Sequence, residues 1–106
     1  MILTPEATID CLYNETPAEE ARAASLRMRP TAAVSVATTP GTSPWQSIPT
    51  TDLVCERDRA NSPELQRAMA SRAGRVESID TDHSPFASRP EEFCELLDSL
   101  TATSAG

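Results

Sequence analysis

Apolar positions recur at helical spacing near both ends of this chain, and two short strand-like runs lie between them. Near the start, "LTPEATIDCLYN" (3–14) sets Ile9, Leu12 and Tyr13 on one narrow stripe. Thr4 is placed to cap that helix, and Pro5 suits its first turn. A second helix is expected in "ETPAEEARAASLRMRP" (15–30). There Thr16 and Glu19 read as a capping box, Ala21, Ala24 and Met28 give a weak apolar face, and Pro30 bars continuation.

In the second half, "TDLVCE" (51–56) and "RVESID" (75–80) read as short strands. Between them, "NSPELQRAMASRAG" (61–74) carries a full set of helix signals. Ser62 is the cap, Pro63 enters the first turn, Leu65 and Met69 share a face, and Gly74 terminates. A final helix follows in "SRPEEFCELLDSL" (88–100), with Ser88 and Glu91 as a capping box and Phe93, Leu96, Leu97 and Leu100 on one face. The order strand, helix, strand, helix over 51–101 predicts an α/β unit whose parallel strands are joined by a right-handed crossover. Residues 31–50, dense in Pro, Ser and Thr, read as a long loop, with Trp45 packed on a neighbouring surface. Residues 102–106 are expected to be a flexible tail.

Composition narrows the picture. Of 106 residues, 39% are hydrophobic, but much of that is alanine; Leu, Ile, Val and Phe make up only about a sixth, so any independent core is thin. A non-catalytic interaction protein, or a partly disordered one that orders on binding, is the alternative this composition supports. The net charge of −7 repels phosphate and anionic lipid, which argues against nucleic-acid or membrane partners. No apolar run approaches a bilayer span and nothing marks the chain for export, so a cytoplasmic location is expected. Cys11, Cys55 and Cys94 are widely spaced and read as small buried hydrophobes rather than metal ligands, and neither a metal nor another cofactor is expected.

Candidate chemistry rests on His83, the one histidine. In a parallel α/β sheet, functional groups gather beyond the carboxyl ends of the strands. Two loops leave such ends here: "CERDRANSP" (55–63) with Asp58, and "DTDHSPF" (80–86) with His83. One crossover separates the two, so an aspartate there can accept the Nδ1 proton and turn Nε2 toward a substrate. Asp82 adjoins His83, but neighbours in an extended segment point apart. Asp80, Asp82 and Glu56 are therefore read as solvated or turn-forming carboxylates, and Asp58 as the better partner. A nucleophile is missing. Gly41, Gly74 and Gly106 are too far apart to form an elbow, and Ser84 is too close to His83 to be activated by it.

With these loops placed, "WQSIPTTDLVCERDRA" (45–60), "PELQRAM" (63–69) and "DTDHSPFASRP" (80–90) together resemble the α/β-hydrolase superfamily. The likeness is greatest to the branch of small methyl-ester esterases, hydroxynitrile lyases and their bacterial relatives. It implies that Asp58 is the triad acid and His83 the general base, and that residues 1–30 are the latter part of a helical cap. It implies the C-terminal part of an α/β-hydrolase fold, with the serine elbow and oxyanion hole upstream. Such a chain would be inactive alone, and would act on a small ester once completed by the missing region, for example by an upstream hydrolase fragment. The lyases place a lysine after the histidine; Ser84 stands there and the chain has no lysine, so esterase-like hydrolysis is implied.

Overall fold

A computed structural model describes residues 2–32, 34, 35, 39, 41 and 43–105. Helix α1 spans Pro5–Leu12, and its entry is fixed as the sequence suggests: Thr4 Oγ1 accepts from the Ala7 N–H at 3.2 Å. Helix α2 spans Ala18–Ser25 and stops well before Pro30, leaving Met28 outside it. It enters from Pro17 with no side-chain cap, so the expected Thr16–Glu19 box does not form. The Thr16 hydroxyl is engaged elsewhere, as described below.

Strand β1 (Thr51–Cys55), helix α3 (Pro63–Ala70) and strand β2 (Arg75–Ile79) follow the expected order. The strands pair in parallel, from Thr51 opposite Arg75 to Cys55 opposite Ile79. Ser62 Oγ accepts from the Leu65 N–H at 3.2 Å and starts α3 at the predicted residue. A four-residue helix α4 (Pro85–Ser88) then precedes the long helix α5 (Pro90–Ala105).

The break between α4 and α5 has a local cause. Arg89 precedes a proline, which disfavours the helical region, and it adopts φ −137°, ψ 61°. Ser88 thus ends one helix instead of capping the next, and the second expected capping box is also absent. The tail expected over 102–106 is helical as far as Ala105. No glycine or proline interrupts 101–105, and the Thr101 hydroxyl bonds back to the Leu97 carbonyl. Gly106 lies outside the described residues, as do 33, 36–38, 40 and 42 of the expected 31–50 loop. In the described part of that loop, Pro44–Gln46 form a 3-10 turn. Trp45 lines a cleft of about 330 Å³ with Met69, Arg72 and Ala73, at and beyond the end of α3.

Among the described residues, the buried apolar set is Ala21, Val54, Cys55, Ala70 and Ile79. More polar or charged residues are buried than apolar ones: Thr8, Thr16, Ser25, Asp58, Gln66, Thr81, Asp82 and Ser84. The apolar stripe of α5 is only partly covered, with Phe93, Leu96 and Leu100 half-buried and Leu97 exposed. Of the three cysteines expected to be buried, only Cys55 is; Cys11 is half-buried and Cys94 is exposed on α5, and all three are free. No described helix is long and apolar enough to cross a membrane.

Candidate active site at the strand ends

The backbone carries the two loops together past the ends of the strands. The Glu56 N–H donates to the Ile79 carbonyl at 2.9 Å, and the Arg57 N–H to the Thr81 carbonyl at 2.8 Å. A tight turn, with the Asp58 N–H 3.4 Å from the Cys55 carbonyl, then folds Asp58 under the sheet edge. Asp58 Oδ1 accepts from the N–H groups of Ala60 (2.7 Å) and Asn61 (3.0 Å), an Asx turn that leads directly into the Ser62 cap. Its Oδ2 lies 2.7 Å from His83 Nδ1 and accepts from Gln66 Nε2 at 3.2 Å. The Asp58 side chain is 3% exposed and that of His83 is 37% exposed. A carboxylate fixed by three other donors and facing an imidazole nitrogen can only accept, so Nδ1 carries the proton and Nε2 the lone pair of the neutral ring.

Gln66 holds this corner together. Its Oε1 accepts from the Cys55 N–H at 2.8 Å. Its Nε2 reaches the Cys55 carbonyl (3.2 Å) and the Asn61 carbonyl (2.7 Å) as well as Asp58. The side chain therefore pairs with both backbone groups of Cys55, as a neighbouring strand would, and orients the acid with the same amide. Sequence reasoning gave Gln66 no role, because its partners depend on α3 packing against the end of β1.

The other acids divide. Asp80 does not reach His83; it forms a fork with Arg57, at 2.7 Å to Nε and 3.1 Å to Nη2, and Arg57 also reaches Glu15 at 3.3 Å. The Arg57 hydrogen bond pulls the Asp80 carboxyl below its ordinary range, and Asp80 pushes the guanidinium up. Glu56 pairs with Arg67, whose hydrogen bond lowers its carboxyl. These pairs are half-exposed and add little to stability. Asp82, expected to be solvated or turn-forming, forms a turn with the Ser84 N–H but is fully buried. Its Oδ2 accepts from the Glu15 N–H (3.0 Å) and Thr16 Oγ1 (2.8 Å), and its Oδ1 from the Ser84 N–H and Ser88 Oγ (both 2.9 Å). The two hydroxyls expected to form capping boxes, those of Thr16 and Ser88, thus both donate to this one carboxylate.

His83, Asp58, Leu53, Met69, Phe86 and Phe93 line a cleft of about 370 Å³. Among the described residues, no serine, threonine or cysteine side chain bonds to the His83 ring. Ser84 is buried with its N–H on Asp82, and burial pushes the Cys55 thiol up, away from thiolate chemistry. No described group of acidic, histidine or cysteine side chains comes together as a metal site.

The sequence pattern of the Alpha/beta hydrolase family matches residues 4–96. Methylesterase 18 of Arabidopsis thaliana is 29% identical over 103 residues, covering 92% of this chain and 39% of its own length. Methylesterase 17 of the same plant is 31% identical over 104 residues, covering 91% and 38%. A crystal structure of polyneuridine aldehyde esterase, a histidine-to-alanine mutant, superimposes with a TM-score of 0.81 at 22% identity, over 94% of this chain and 42% of that one. The chain therefore spans about two-fifths of the length of these relatives.

Proposed function

This chain belongs to the alpha/beta hydrolase family, in its esterase-like branch, and from that premise we propose that it supplies the acid–histidine pair of a serine-type ester hydrolase. Asp58 is the acid and His83 the general base. The observation that carries this reading is the 2.7 Å contact between Asp58 Oδ2 and His83 Nδ1, made by a buried acid to a ring that reaches a cleft.

In this scheme His83 Nε2 takes the proton of a serine hydroxyl as its oxygen attacks the ester carbonyl. The imidazolium then returns that proton to the departing alcohol, and a water repeats the sequence to release the acid. Asp58 holds the ring in the required tautomer and stabilises the imidazolium. The serine and the oxyanion donors come from chain outside this segment, so the segment by itself turns over no ester, and completion by that partner restores turnover. The apolar side chains beside His83, Leu53, Met69, Phe86 and Phe93, suit a small, fairly apolar ester. The three free cysteines suit a reducing, cytoplasmic setting.

The test is hydrolysis of a short-chain p-nitrophenyl ester by purified residues 1–106. The expected rate equals the buffer blank. A robust rate that disappears in His83→Ala would show that this segment holds its own nucleophile and overturn the proposed division of labour.

A further inference from the structure

We infer that Asp82 is a positioning residue for His83, a buried clamp that sets the base by tying its loop to the segment between α1 and α2. The inference rests on the reading of His83 as the general base, and extends it to a residue that touches neither substrate nor the imidazole.

The clamp is two-sided. One oxygen of Asp82 gathers Ser84 and Ser88, which follow His83 in the chain; the other gathers Glu15 and Thr16, more than sixty residues earlier. All four groups on the carboxylate are neutral donors, two backbone N–H groups and two hydroxyls. A buried carboxylate is tolerated only where such donors satisfy it, so the four act together and the loss of one weakens the rest. The backbone around the base is fixed as well. Thr81 Oγ1 donates to the Asp82 carbonyl at 3.0 Å, and the Thr81 carbonyl accepts from the Arg57 N–H.

The same segment also grips the acid loop. Asn14 Nδ2 donates to the Arg57 carbonyl at 3.1 Å, one residue before Asp58, and Glu15 reaches the Arg57 guanidinium. Residues 14–16 therefore bridge the loops that carry both members of the pair. Among the described residues the His83 ring has Asp58 as its one hydrogen-bond partner, so its placement depends on that contact and on the backbone that Asp82 holds. A movement of the helical segment that breaks the Thr16 bond shifts the base relative to the acid.

The experiment uses residues 1–106 labelled with 15N-histidine, which gives signals from His83 alone. Thr16→Val removes one donor while keeping shape and backbone, and Ser88→Ala removes one from the other side. Both are expected to shift the His83 ring signals and to speed exchange of the Nδ1 proton, and Thr16→Ser is expected to restore the original spectrum. Thr4→Ala, which uncaps α1 at the end away from residues 14–16 and touches neither Asp82 nor Asp58, serves as the control for general loosening and is expected to leave the ring signals in place. If Thr16→Val unfolds the chain, Ser88→Ala carries the test. Unchanged ring signals in the folded clamp variants, or an equal response in Thr4→Ala, would overturn the inference. Failure to find serine chemistry would instead sink the catalytic reading while leaving this ring response intact.

Discussion

Asp58→Asn is expected to lower kcat for ester hydrolysis about 10⁴-fold in the enzyme that holds its serine, with little change in fold. The reason lies in the bonds Asp58 makes. An asparagine placed here keeps its carbonyl toward the Ala60 and Asn61 N–H groups, which fixes its amide NH₂ where Oδ2 now stands. That group faces Gln66 Nε2 and His83 Nδ1, both donors. The imidazole relieves the conflict by moving its proton to Nε2. In that tautomer it can no longer take a proton from a serine, although the ring has hardly moved. The measurement is kcat for the two forms on the same short-chain ester, with circular dichroism as the check on fold. A loss smaller than about tenfold would fall below the range of general-base catalysis and remove Asp58 from the pair.

Gln66→Leu is expected to have the largest effect on stability. Leucine fills nearly the same volume, so the cost comes from stranded polar groups rather than from a void. The buried Cys55 N–H loses its acceptor, the Cys55 and Asn61 carbonyls lose a donor, and Asp58 loses one of its four bonds. Stranding buried groups of this kind costs on the order of 2–4 kcal/mol in total. For a chain of this size that corresponds to a fall in Tm of roughly 10–20 °C, read from a far-UV circular dichroism melt. With so few large aliphatics buried, the fold has little apolar reserve to offset it. A shift under about 2 °C would mean that water replaces Gln66 at little cost and that the corner is open to solvent.

The fold was legible wherever local chemistry decides it. Ser62 and Pro63 start α3 at the predicted residue because a cap and a proline act within one turn. The two strands emerge within a residue of their expected limits, and their parallel pairing follows from the helix between them. Asp58 and His83 were nominated by the same logic, since parallel strands deliver their following loops to one edge, and the structure brings the two side chains together. Legibility ended where a group had a choice of partners. Thr16 and Ser88 each stand three residues before a glutamate, the pattern of a capping box, yet both hydroxyls turn to a carboxylate that local reading takes as solvated or turn-forming, not as buried. A buried carboxylate outbids a helix end because it is costlier to leave unsatisfied. Nothing near Asp82 in the chain names its partners 66 and 67 residues away. The α4–α5 break, by contrast, was written locally in Arg89–Pro90 and was hidden only by treating Ser88 as a cap.

Fluorophosphonate labelling of the protein isolated from its source, followed by peptide mapping, tests the central claim most directly. The expected result is a single modified serine lying outside residues 1–106, with the modification lost when His83 is replaced by alanine. A modified serine within residues 1–106, no modified serine at all, or labelling indifferent to His83→Ala would contradict it.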